Sequence, residues 1–161
     1  MGAPPELMDP APPLAKAAPS RPAGPRPWAY WPFRLIGIAL TVLIFNQAVY
    51  AGQFLAGDFG ALAQHRDNAN YAGFALLAEL VAAVLLRWPG RGPVWPALTC
   101  LGMFVVVGLQ IGLGYARVLA VHVPLGVALI TGTVVLLVWA WRPKPGERVP
   151  FSGRGGPAAS R

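Results

Sequence analysis

The chain has little of what soluble catalysis requires. Among 161 residues it holds one cysteine, two histidines and six acidic residues, and only 12% of the sequence is charged. One cysteine, Cys100, excludes an intramolecular disulfide and a cysteine metal centre. Its apolar neighbourhood reads as a packing position. The sequence contains no nucleophile–His–Asp constellation, no glycine-rich phosphate loop and no carboxylate pair suited to a cleft. Soluble domains average roughly a quarter charged residues. Half that share points to a solvent other than water.

Apolar runs fill the space that charge leaves, and 55% of the residues are hydrophobic. Four stretches reach or approach the roughly 20 residues that cross a bilayer. They run about Leu35–Ala56, Ala69–Leu86, Val94–Gly114 and Val118–Trp141. None is short enough, or close enough to the start, to read as a removable signal peptide. The expected fold is an all-α membrane protein, a four-transmembrane-helix up-down bundle over residues 28–142. The connection Gly114–Arg117 is so short that helices 3 and 4 must be antiparallel neighbours. The segment Gly57–Asn68 reads as a longer, more polar loop.

The formal charge of +7 suits nucleic acid as a partner, but its distribution excludes that reading. Lys16, Arg21, Arg26 and Arg34 precede helix 1, and Arg87 and Arg91 separate helices 2 and 3. Arg142, Lys144, Arg148, Arg154 and Arg161 follow helix 4. Only Arg66 and Arg117 lie in the other two connections. This asymmetry places both termini in the cytoplasm, with the protein in the cell membrane. The six tryptophans, at positions 28, 31, 88, 95, 139 and 141, fall at the same ends, where aromatic belts sit. Residues 1–27 are Pro/Ala-rich and 143–161 are basic. Both are expected to be disordered tails, with proline spacings suited to a partner domain and a weak attraction to anionic lipid.

One phrase is spoken twice. Gln53, Gly57, Leu62, Ala63 and His65 return with the same spacing as Gln110, Gly114, Leu119, Ala120 and His122. Leu80/Leu137, Val81/Val138 and Ala83/Ala140 match at the same offset. The pattern describes a tandem two-helix repeat, its halves related by a pseudo-twofold axis along the membrane normal. It puts the two histidines of the chain at equivalent places on helices 2 and 4. His65 falls at or just before the outer end of helix 2, and His122 about one turn, roughly 6 Å, into helix 4.

Two equivalent imidazoles facing one axis are the axial ligand set of a six-coordinate haem iron. Ala69 and Gly126 follow four residues later on the same faces, and their small size suits a slot for a flat macrocycle. Gly73 continues that opening. Arg66 and Arg117 are placed to meet haem propionates, or to pair with Asp58 or Asp67. Pro124 frees the carbonyl of Ala120, a possible partner for a ring N–H. Packing residues bonded across helices are the plainer reading of two such histidines.

The His65-Arg66 pair opening helix 2, with His122-Val-Pro-Leu-Gly126 near the outer end of helix 4, resembles one half of haem A synthase. More broadly it is similar to small four-helix haem b membrane cytochromes. The resemblance covers about residues 34–141. It implies a four-helix bundle with haem ligated by His65 and His122. At the position three before the His-Arg pair, where the family commonly carries a glutamate, this chain has Leu62. One bundle is present where the synthase has two.

Glu79 is the one acid deep in a span, about 21 Å inward of His65. Thr41, Thr99 and Thr133 fall at comparable depth, and a polar layer is expected, with a neutral Glu79 bonded to threonine hydroxyls or backbone. The alternative to that structural role is a site on a proton or quinone path. Asn46, Gln47, Gln53 and Gln110 read as amides gluing helices together, with Gln53 and Gln110 also placed to line a haem pocket. Gly108-x-x-x-Gly112 suits close packing or oligomerisation. The leading expectation is a haem b protein transferring electrons to a membrane partner such as quinone. The other is a cofactor-free accessory or assembly subunit, which would tolerate loss of the histidines but not of the tails.

Overall fold

The computed structural model describes residues 24–143. Of the tails expected to be disordered, 1–27 and 143–161, residues 1–23 and 144–161 lie outside the described residues. A short 3₁₀ turn, Pro27–Ala29, leads into α1 (Tyr30–Leu55). α2 (Ala61–Arg87), α3 (Trp95–Tyr115) and α4 (Leu119–Trp141) follow. All four helices are long and apolar enough to cross a membrane, so the chain is a multi-pass membrane protein.

The spans match the hydropathy reading within a residue or two for α3 and α4. α2 differs. Most of the expected loop Gly57–Asn68 is helix, and α2 starts eight residues before Ala69. The segment Gln64-His65-Arg66-Asp67-Asn68 is too polar to register as membrane-spanning, yet several of these residues are good helix formers. His65 is therefore a residue within a helix, in its second turn. The true loop is Ala56–Gly60. Gly57 takes φ +103° there, and the Gly60 N–H donates to Asp58 Oδ1 at 3.0 Å, stabilising the entry to α2.

The helices pack in a ring: α1 on α2, α2 on α3, α3 on α4, and α4 back on α1. The diagonal pairs, α1/α3 and α2/α4, do not pack directly. Buried positions recur at alternating spacings of three and four residues. On α1 they include Phe33, Gly37, Leu40 and Ile44; on α3, Pro96, Cys100, Met103, Val107 and Gln110; on α4, Leu129, Thr133, Leu136 and Ala140. This is the stripe of a left-handed bundle. Several members are small, which lets helices approach closely where lipid provides no hydrophobic drive.

One end of the bundle carries the start of α1, the α2–α3 turn and the end of α4. The tryptophans gather at this end as expected. Trp139 stands edge-on to Trp95 with centroids 4.5 Å apart, and Trp31 edge-on to Trp141 at 6.0 Å. The Arg26 N–H donates to the Gly90 carbonyl at 2.8 Å, tying the entry strand to the α2–α3 turn. Gly90 has no room for a side chain. A Cβ there would overlap the Leu86 carbonyl oxygen and stand 2.6 Å from Ala29 Cβ. Gly90→Ala should therefore lower thermal stability in detergent by about 2 kcal/mol. Gly52→Ala, which meets open space on α1, should not lower it. Thermal unfolding followed by circular dichroism distinguishes the two.

Candidate functional site: a histidine pair between diagonal helices

At the opposite end, His65 from α2 and His122 from α4 reach across the bundle interior to each other. Their ring centroids lie 6.1 Å apart with planes inclined by 53°. The same residues on helices that do not pack directly meet because both side chains point inward near their helix starts. Both are half-buried.

Each ring is oriented by a backbone carbonyl of the preceding helix. His65 Nδ1 lies 3.0 Å from the Gln47 carbonyl oxygen, and His122 Nδ1 lies 3.0 Å from that of Gln110. A carbonyl oxygen only accepts, so Nδ1 must carry the proton and donate. In the neutral ring, Nε2 then keeps its lone pair. Each imidazole thus keeps an Nε2 that these two bonds do not use.

The expected ring partner needs a correction. The Ala120 carbonyl freed by Pro124 is not the partner of His122; the ring reaches across to α3 instead. The repeat pairs Gln53 with Gln110, but His65 meets Gln47, six residues earlier. The reason is the first turn. The Gln53 carbonyl already accepts the N–H groups of Ala56 and Asp58, at 3.1 and 3.0 Å, and its side chain is exposed. The two halves keep the same chemistry with a different register.

The repeated glycines also divide their roles. Gly57 makes the turn, whereas Gly114 lies against the His122 ring, where a Cβ would stand 3.3 Å from Cε1. In the sequence Gly114 is a repeat match alone; the fold sets it against the ring. Gly126 backs onto Gln110, whose Nε2 is 3.0 Å from the place a Cβ would take. The space at Gly126 is thus filled by the Gln110 amide. Ala69 and Gly73 line a shallow cavity of about 260 Å³ between α2 and α3, walled by Phe74 and Phe104.

Two buried amide atoms beside the rings lack partners: Gln47 Nε2 and Gln110 Oε1. Native interiors rarely leave such atoms unused, so each marks a place for a water or a bound group. One turn further in, Asn68 Nδ2 donates to the Leu43 carbonyl at 2.8 Å, the interhelical glue expected of such amides.

Arg66 and Arg117 are exposed at the histidine end. Arg66 lies 5.6 Å from the centre of the Tyr115 ring, a cation–π contact joining α2 to α3. Arg117 takes φ +58° in the α3–α4 turn. Among the described residues neither forms an ion pair with Asp58 or Asp67.

Glu79 is 2% exposed, with Oε1 beside Gly37 and Oε2 without a partner. The expected threonine layer does not bond it. Thr41 Oγ1 donates to the Gly37 carbonyl at 2.7 Å and Thr133 Oγ1 to Ile130 at 2.9 Å. A threonine in a helix finds its own carbonyl three or four residues back more readily than a group across the bundle.

Among the described residues, no group of three or more His, Cys, Asp or Glu side chains could hold a metal ion. A comparison with protein families, with curated proteins and with solved structures finds no match.

Proposed function

We propose that this is an integral membrane haem b protein, with His65 and His122 as the two axial ligands. The supporting observation is the pair itself: two imidazoles 6.1 Å apart, each with Nδ1 committed to a backbone carbonyl. Haem bound there would supply a one-electron redox couple. The chain's part is to fix both tautomers, hold both rings in place and surround them with apolar helices. Carbonyl bonds to Nδ1 orient the ligands and raise their basicity. Were His65 and His122 both to hold the iron, the chemistry would be electron transfer rather than oxygen chemistry.

Arg66 and Arg117 are the cations available to carboxylates of the macrocycle at this end. Gln47 Nε2 and Gln110 Oε1 are available to its edge or to a bound water. In this reading the protein sits in the cell membrane with both termini cytoplasmic, and the electron partner is a quinone or another membrane protein, reached within a homo- or hetero-oligomer.

The test is an absorption spectrum of the detergent-purified protein, oxidised and then dithionite-reduced. A sharp reduced α-band at one haem per chain is expected. A colourless protein, even after haem supplementation, would overturn the proposal and leave the histidines as packing residues of an accessory subunit.

A further inference from the structure

At the aromatic end, far from the histidines, α3 and α4 border an open groove of about 270 Å³. Trp95 and Trp139 wall it, Val134, Val135 and Val138 line it, and Arg142 stands with them at the end of α4. The three valines share one face of α4, are 42–59% exposed, and extend roughly 12 Å inward from Arg142. Indoles of this kind sit at headgroup depth. The groove therefore has a charged mouth, an aromatic collar and an aliphatic trough.

Its electrostatics are one-sided. Arg26, Arg34, Arg87, Arg91 and Arg142 all belong to this end. Among the described residues the acids are Asp58 and Asp67 at the other end and Glu79 inside α2. Arg34 is already engaged, its Nε donating to the Ala140 carbonyl at 2.9 Å. Arg142 is exposed and, among the described residues, has no acidic partner.

We infer that this groove binds an anionic phospholipid, its phosphate at Arg142, its glycerol region against Trp95 and Trp139, and one acyl chain along the three valines. A free phosphate gains nothing from the aliphatic trough. A zwitterionic lipid brings its own cation toward Arg142, at an end of the bundle that holds arginines and no described acid. Only an anionic lipid satisfies the mouth and the trough together. The inference is independent of the haem proposal.

The test uses full-length protein in nanodiscs of equimolar phosphatidylglycerol and phosphatidylcholine, with retained lipid counted by native mass spectrometry. Wild type is expected to retain phosphatidylglycerol over phosphatidylcholine by about fivefold. Arg142→Gln should bring that ratio close to one. Val135→Trp, which obstructs the trough without changing charge, should lose the retained lipid of both kinds. Circular dichroism and thermal midpoints of both variants should match wild type, because both positions face outward. Retention in the bulk ratio, or undiminished enrichment in either folded variant, would overturn the inference. So would release of phosphatidylglycerol by millimolar inorganic phosphate, which would assign the cation to free phosphate. Should a variant misfold, the wild-type ratio and the phosphate competition decide the matter.

Discussion

His65→Ala and His122→Ala are each expected to purify without the reduced α-band, with haem content at least tenfold below wild type. Disturbing a group that merely orients a metal ligand commonly costs 10–100-fold in affinity. Removing the ligand itself should cost no less. Each ring is anchored once, by Nδ1 to a carbonyl, so neither neighbour can move in as a substitute. The two losses should be alike, because the rings face one another at a single 6.1 Å separation. Helix content should be unchanged, since neither ring belongs to the buried apolar stripe. His122→Gly supplemented with free imidazole should recover the band, because removing the ring leaves a ring-sized space against Gly114. Recovery separates lost ligation from lost structure. Deletion of residues 1–23 or 144–161 should leave the spectrum untouched. Full haem in both alanine variants would exclude His65 and His122 as the ligands.

The spans were legible because hydropathy over twenty residues is a composition signal, and composition does not depend on which way a side chain points. The inward face was not legible. Every face of these helices is apolar, so Leu40 and Val42, or Val107 and Val105, look alike in sequence while one is buried and the other exposed. What distinguishes them is the three-four spacing of small and polar members such as Gly37, Cys100, Gln110 and Thr133, which becomes visible only once a neighbour is known. The start of α2 was misread for a related reason: polarity around His65 reports water, not the end of a helix.

The histidine pair was legible through the repeat, which located two rings without showing that they meet. Its second layer was only half legible. Gln110 serves its ring as the repeat implies, yet Gln53 does not, because a five-residue turn engages its carbonyl where the second hairpin has three residues. A fixed sequence offset carries side-chain identity faithfully and backbone register poorly. The arginine–indole chemistry at the other end was legible only as a belt. That Arg34 and Arg142, both basic interface residues, divide into one buried and one exposed required the fold.

Arg34→Leu is expected to lower stability by about 2 kcal/mol, a fall of roughly 5–10 °C in the thermal midpoint in detergent. Arg34 is 4% exposed and lies 5.2–5.6 Å from the centres of Tyr30, Trp31 and Trp141. Its Nε bond to Ala140 satisfies a carbonyl at the negative end of α4, where a cation is favoured. Leucine would recover part of the apolar burial, and exchanging a buried charge for a hydrophobe is sometimes neutral. Here two losses outweigh that gain: a charge-assisted bond to a helix end, about 1.5–3 kcal/mol, and cation–π contacts of about 0.5–2 kcal/mol. Arg34→Lys should fall between, since it keeps the charge without the planar group that lies among the rings. The bond spans α1 and α4, the pair that closes the ring of four helices. The diagonal spacing of α2 and α4 depends on that closure, so the pigment of Arg34→Leu should bleach at the temperature where its helices melt. Bleaching at the wild-type temperature would show that the histidine end is held without the clamp at the other.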